Sequence, residues 1–340
     1  MSIEKKKQIS FTAVHTAEMI EKDLPAMTDN SVLVRTEYTV ISGGTERACI
    51  MGFPNTSPKT FPKNLGYCGM ARVLETGSAV KKVAVGDRVL VYHGYHSNYN
   101  VVAEDKVYRV DNDELSSLEA SFAIIAAMGL GGVRKLEIEI AEPAMVMGLG
   151  LLGMFSVQFC RLNGAYPVIA ADLNPERRRL ALELGADYAL DPRDSGFAAE
   201  VKRLTKGKGV SACVEVTGVA AALKQALECA SFMGRIALLG CTRVSDCEID
   251  YYRQVHKPGV TLVGAHNMVR PKVESFPHHW TNEDDCRAIL DLISSGRLKV
   301  LPMVSRVCSP DDYKTIFDQL CDDPMFPMGT VFDWRDEKWN

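Results

Sequence analysis

Three glycines, Gly148, Gly150 and Gly153, follow the apolar run 144-AMVM-147 in the spacing GxGxxG. An acidic residue, Asp172, closes the next apolar run 19 residues after the last of them. This spacing suits a pyrophosphate. The first glycine allows a tight turn, the second lets backbone approach the anion, and the third lets the following helix pack close to its strand, with the helix N-terminus favouring negative charge. Asp172 can accept hydrogen bonds from both hydroxyls of an adenosine ribose and would repel a 2′-phosphate, so NAD is expected rather than NADP. Arg177, five residues further on, either reaches the same ribose or is a solvated helix charge. A glycine-rich turn alone is weak as a signal; here strand, helix and acid fall in register.

Such a turn needs a sheet beneath it. From about residue 115 helical segments alternate with short apolar runs: 144-AMVMGL-149, 166-YPVIAAD-172, 211-SACVEVTG-218, 234-GRIALLG-240 and 259-GVTLVGA-265. Continuous apolar strands between helices imply a parallel sheet covered on both faces, a doubly wound nucleotide-binding domain expected over 119–268. The first third reads differently. There 31-SVLVRTEYTVI-41, 70-MARVLETG-77, 88-RVLVYHGY-95 and 98-NYNVVA-103 are β-rich runs between turns, the pattern of a barrel-like lobe. A helix starting at Asn282 has apolar residues at helical spacing and a closing glycine, and 326-FPMGTVFDW-334 returns to strand character, so 1–118 and 269–340 are expected to form one domain.

A chain of 340 residues suits two domains, and 46% hydrophobic with 24% charged residues excludes an extended disordered polymer. The net charge of −4, with dispersed Lys and Arg, argues against a nucleic-acid partner. The start, MSIEKKKQISF, is basic but has no apolar run behind it, and no window approaches the ~18 apolar residues of a membrane span. A cytoplasmic protein with no membrane partner is expected. Its ten scattered cysteines include no CxxC pair and read as reduced thiols.

The order of barrel-like lobe, dinucleotide domain and return resembles the medium-chain dehydrogenase/reductase superfamily, the zinc-type alcohol dehydrogenase-like proteins. So do GDRV at 86–89, GADY at 185–188, VEVTG at 214–218 and LLG at 238–240. The resemblance implies an α/β chain with a GroES-like β-barrel lobe and a Rossmann domain. It also implies a cofactor-binding set of Gly148, Leu149, Gly150, Leu151, Leu152, Gly153, Asp172, Arg177, Thr217, Gly240 and Ala265.

The same resemblance exposes missing metal ligands. Where zinc members carry Cys-Gly-Thr-Asp, this chain has Gly43-Gly44-Thr45-Glu46; where they carry Gly-His-Glu, it has Gly66-Tyr67-Cys68; the third ligand position aligns with Ala127. The stretch 91-VYHGYHSNYNVVAEDKV-107 lacks the cysteines of a structural zinc lobe. Tetrahedral zinc needs converging N, S or O ligands at about 2.0–2.3 Å, so neither a catalytic nor a structural zinc is expected. The ISGGTE variant, with the helix around 279-HWTNEDDCRAILDLISSGRL-298, is similar to a zinc-independent branch that includes bacteriochlorophyllide a dehydrogenase-like and sugar-oxidoreductase-like proteins.

Without zinc, another group must bond the substrate oxygen. Thr45 matches the family position that contacts that oxygen, and Tyr67 stands where a ligand is lost. The family's relay His is Ala48 here, which leaves His93, His96 and His266 as candidates to pass the proton to solvent. Strand ends of an open sheet hold ligands, which favours His266. Glu46 either orients Arg47 or a loop amide or serves as a structural salt-bridge partner. Cys68 reads as a buried small hydrophobe, and Trp280, with His278 and His279, either closes over a ring-shaped substrate or starts the next helix.

The expected activity is NAD-dependent hydride transfer at a hydroxyl or ketone of a polar, cyclic or sugar-like small molecule. Reduction of a carbon–carbon double bond, as in enoyl or quinone reductases, is also compatible with loss of zinc, as is a silent dinucleotide-binding sensor or scaffold. A bound NAD recycled within one turnover would make an epimerase or lyase. An apolar edge strand at 259-GVTLVGAHN-267 points to a homodimer.

Overall fold

The computed structural model of the protein describes residues 3–244 and 246–339; Met1, Ser2, Ser245 and Asn340 lie outside them. The chain divides into two compact units, Met1–Ile125 with Cys286–Asn340, and Ala126–Asp285. The sequence-based joints at 118/119 and 268/269 lie 7 and 17 residues before the divisions at 125/126 and 285/286. The structural joints fall inside two helices, Ala123–Arg134 and Asn282–Ser294, and a joint without a linker leaves no composition signal to read.

In the first unit the strands are β1 (Lys5–Ala13), β2 (Thr16–Asp23), β3 (Ser31–Val40), β4 (Lys63–Asn64), β5 (Cys68–Thr76), β6 (Arg88–Tyr92), β7 (Tyr99–Ala103) and β8 (Val107–Arg109). The second unit supplies β9 (Ala144–Met147), β10 (Val168–Ala171), β11 (Tyr188–Leu190), β12 (Val210–Glu215), β13 (Ala230–Leu238) and β14 (Thr261–Gly264). β15 (Arg306–Cys308) and β16 (Thr330–Asp333) return to the first.

The first unit's larger sheet runs β15-β16-β3-β5-β6-β8, with β7 also paired to β3; β2-β1-β4 form a smaller one. β3 is central because SVLVRTEYTV is buried along nearly its whole length, whereas β2, TAEMIEKD, alternates between exposed and half-buried positions as an outer strand does. β16 pairs antiparallel with β3, Val331 opposite Val40, which brings the C-terminal segment onto the first sheet. Ile9, Phe11, Ile41, Ile50, Phe317, Phe332 and Trp334 pack as its core.

The second unit is a six-stranded parallel sheet in the order β11-β10-β9-β12-β13-β14. All four residues of β9 and of β10 are buried, as both faces of a covered parallel sheet require. β11 is the strand the apolar pattern misses: it is three residues long and half-exposed. The chain winds from β9 outward to β11 and then crosses back to β12, so the strand order reverses between β9 and β12. Ligands of open α/β sheets sit outside the carboxyl ends of the strands at such a reversal. Gly148, Asp172, Thr217, Gly240 and Ala265 follow the ends of five of these strands within two residues. Among the described residues no helix is long and apolar enough to cross a membrane, and all ten cysteines are free.

Candidate active site

The glycine turn of the second unit is shaped residue by residue. Gly148 has φ +92°, and a Cβ there would stand 2.7 Å from Thr217 Cγ2, so the turn after β9 closes against the turn after β12. A Cβ on Gly153 would lie 1.8 Å from the Gly148 carbonyl oxygen, which fixes how closely the helix Leu151–Leu162 approaches its strand. Around Gly150 nothing lies within 4 Å of a built Cβ, and this open space lies at the helix N-terminus. Leu149, Leu151 and Leu152 complete the turn. Asp172 braces it: Oδ2 accepts the Leu149 N–H at 2.6 Å and Oδ1 the Asn174 N–H at 2.8 Å. Arg177 is half-buried in the first turn of the helix Pro175–Glu183, where its N–H caps onto Asn174 Oδ1 at 3.2 Å.

One residue of this site was not singled out by sequence reasoning. Glu215, 2% exposed at the end of β12, accepts the Thr217 N–H at 2.7 Å, the Gly218 N–H at 3.1 Å and the Thr217 hydroxyl. Burial pushes its carboxyl above the ordinary carboxylate range, against the pull of those hydrogen bonds. The signal was present in VEVTG, where an acid ends an otherwise apolar strand. Gly240 closes the next turn, since a Cβ would meet the Gly218 nitrogen at 2.4 Å, and Ala265 is buried with its N–H on the Leu238 carbonyl.

In the first unit the structure gathers Ser42, Thr45, Tyr67 and His93. The Tyr67 hydroxyl lies 2.5 Å from Ser42 Oγ and also hydrogen-bonds Thr45. Burial first, then the neighbouring Cys68 and Glu46, push the phenol far above its ordinary value, so it stays protonated and acts as a neutral hydroxyl. Ser42 was missed because its role depends on a tertiary partner 25 positions away. His93 sits beside the phenol, its ring centroid 6.2 Å from that of Tyr67 and 4.1 Å from Tyr92, and its backbone N–H donates to the Tyr67 carbonyl. Its φ of +59° is rare for a residue with a side chain and is held by this packing. The residue is exposed overall, yet crowding of the ring, together with Lys106, holds the imidazole below its ordinary value.

His96 is removed from the relay. It is completely buried, its Nδ1 2.8 Å from Thr39 Oγ1 and its Nε2 3.0 Å from Glu46 Oε2, with Phe317 and Phe332 packed on the ring. An imidazole with both nitrogens bonded inside the core has no route to solvent. Glu46 is its structural partner and also accepts the Ser42 N–H at 3.0 Å, at the start of the helix Gly43–Ile50. Arg47 instead donates to the Cys321 carbonyl. Removing one member of a buried pair strands the other, so Glu46→Ala is expected to cost about 3–5 kcal/mol of stability, read by urea denaturation. A cost below about 1 kcal/mol would show that the pair does not hold the loop.

The residues at the family's metal positions do not suit zinc. Glycine and alanine have no donor and Glu46 is spent on His96 and Ser42, which leaves too few ligands at these positions for a tetrahedral ion. Among the described residues no three His, Cys, Asp or Glu side chains group as a metal site. His266, exposed after β14 in the second unit, accepts the Met268 N–H on Nδ1 at 3.2 Å. Trp280 stacks on Arg134 rather than starting the helix, which begins at Asn282.

The second unit is a Rossmann-ordered parallel sheet with a built glycine turn, and the first is a β-rich unit that carries a hydroxyl cluster. A family model described as zinc-binding dehydrogenase matches residues 152–281. The L-threonine 3-dehydrogenase of Pyrococcus horikoshii is 26% identical over 333 residues, covering 89% of this chain and 91% of the relative. The D-guloside 3-dehydrogenase of Escherichia coli K12 is 25% identical over 343 residues, covering 92% and 96%. A Sinorhizobium meliloti 1021 protein assigned as a zinc-binding dehydrogenase, solved bound to NADP, superposes with a TM-score of 0.82 at 23% identity, over 97% of this chain and all of that one. Residues 152–281 match the zinc-binding dehydrogenase model, and over most of its length the chain is similar to zinc-type alcohol dehydrogenase-like proteins; it is an oxidoreductase.

Proposed function

We propose that the protein exchanges hydride between NAD(H) and a hydroxyl or ketone carbon of a polar, cyclic or sugar-like substrate without a metal. In this reading Tyr67 and Thr45 bond the substrate oxygen and His93 passes the proton to solvent. The observation that carries it is the Tyr67 phenol, neutral and hydrogen-bonded to Ser42 and Thr45, at a position where the family resemblance implies a metal ligand. A nicotinamide, when bound, supplies hydride exchange at its C4. The chain's own part is the proton. As the alcohol is oxidised its hydroxyl proton moves onto the Thr45 or Tyr67 oxygen while that group's own proton moves on, so each hydroxyl stays neutral and the proton leaves at His93. Relatives named for threonine and a guloside support a polar hydroxyl as the substrate class.

NAD is preferred here because the Asp172 carboxylate, anchored at Leu149 and Asn174, would repel a 2′-phosphate. The test is turnover of a panel of polyols, sugars and hydroxy acids by protein dialysed against chelator. Unchanged activity with NAD, weaker with NADP, is expected. Activity lost with chelator and restored by zinc would overturn the metal-free reading.

The His93 imidazole must be neutral to take a proton. Its value lies below the ordinary ~6.5, so oxidation should hold its rate as pH falls to that point and decline only beneath it. His93→Ala is expected to remove that acid limb from the kcat/KM profile. A profile identical to that of the unaltered enzyme would take His93 out of the relay.

A further inference from the structure

In the second unit a recess of about 280 Å³, counting space open to solvent, is lined by Arg134, Lys135, Arg270, His266, His279 and Trp280 among others. Its floor is built. Asp285, 1% exposed, takes Arg134 Nε on one oxygen and Arg270 on the other, each at 2.8 Å, and Arg270 also donates to the Ala127 carbonyl at 2.8 Å. Arg270 can lie across the helix Ala123–Arg134 because position 131 is glycine, where a Cβ would come 2.2 Å from its Nη2. Trp280 forms a wall, the Arg134 guanidinium 3.8 Å from the ring centroid.

This recess offers donors with few acceptors. One carboxylate is shared by two guanidiniums, which leaves a positive charge unbalanced, and Lys135 adds a second. The two terminal amino groups of Arg134 bond nothing among the described residues. Lys135 Nζ donates to the Gly264 carbonyl at 2.9 Å and keeps further donor capacity. Since His266 accepts on Nδ1, its neutral ring carries the proton on Nε2 and is a donor there. His279 rests its ring on Phe276, 4.9 Å between centroids, and makes no ring-nitrogen bond among the described residues.

We propose that this recess binds an oxyanion, a phosphate or a carboxylate group, through Arg134, Lys135, His266 and His279 beside Trp280. Guanidinium and ammonium donors to such a group form charge-assisted bonds, stronger than neutral ones. The recess shares Ala265 with the expected cofactor set but none of its glycines and not Asp172. The inference therefore stands whether or not the hydride-transfer reading does.

Trp280 reports on the recess, since Trp334 and Trp339 are only 1% and 4% exposed. Full-length protein is titrated with inorganic phosphate and with acetate at fixed ionic strength while tryptophan fluorescence is followed. A saturable change that Trp280→Phe abolishes is expected with one anion or both, and the tighter anion identifies the group. Lys135→Gln and His279→Ala, both at the rim, should each weaken it about tenfold, the loss of about one charge-assisted bond, with circular dichroism unchanged. The titration is repeated with ADP-ribose filling the glycine turn. A response that ADP-ribose eliminates belongs to the dinucleotide site and overturns the proposal. So does a response that merely tracks ionic strength, or one that both rim variants leave intact.

Discussion

Tyr67→Phe is expected to lower kcat by about 10²- to 10³-fold while leaving folding and dinucleotide affinity unchanged. The substitution keeps the ring that packs near His93 and removes only the hydroxyl that bonds Ser42 and Thr45. A hydroxyl aimed at developing charge contributes in the transition state more than in the ground state, so the loss should appear in kcat rather than in KM. Because burial and the nearby Cys68 and Glu46 hold the phenol far above its ordinary value, the wild-type rate should show no basic limb from its ionisation. Thr45→Ala and Ser42→Ala discriminate further. Thr45 shares the substrate oxygen and should cost nearly as much, whereas Ser42 orients the phenol and should cost less. If Tyr67→Phe turns over within about threefold of the unaltered enzyme, far less than a general acid–base group contributes, the substrate oxygen is held by other groups.

That experiment tests what sequence could state only by resemblance. The glycine turn was legible because its determinants are local: three glycines and an acid at fixed spacing set the turn and the helix within one βαβ segment. The proposed catalytic cluster was legible only in its gaps, at Gly43, Tyr67 and Ala127, where the resemblance implies metal ligands. Which histidine belongs to it depended on burial, which spacing does not carry. His93 and His96 are three residues apart in one turn-rich stretch, yet the first is exposed beside Tyr67 while the second is wholly inside, held between Thr39 and Glu46. Glu215, although VEVTG carried its signal, and Ser42 were passed over for a related reason. A polar residue at a strand end or a helix start reads as solvated until the fold shows which backbone amides or hydroxyls it reaches. The divisions at 125/126 and 285/286 fell inside continuous helices, with no loop or linker to mark them.

The glycine turn permits a separation of binding from folding. Gly150→Val is expected to weaken NAD binding more than about 100-fold with little change in stability, and Gly153→Ala to do the opposite first. At Gly150 the backbone has φ −71° and ψ −172°, ordinary for any residue, and a Cβ meets nothing within 4 Å. A valine side chain there occupies only the space into which a pyrophosphate would come. Losing two charge-assisted hydrogen bonds to backbone N–H groups, each about 1.5–3 kcal/mol, corresponds to roughly 10²- to 10⁴-fold in affinity. At Gly153 even one methyl meets the Gly148 carbonyl at 1.8 Å, a backbone atom that can yield only if the helix Leu151–Leu162 moves off β9. Forcing an extra carbon into such packing costs about 1–3 kcal/mol or more, so the melting temperature should fall before affinity is measured. Calorimetric titration with NADH and thermal denaturation of both variants give the two readings. If Gly150→Val binds NADH as the unaltered protein does, the open space over that residue is not where the phosphates lie, and the cofactor assignment built on Gly148, Gly150 and Asp172 falls with it.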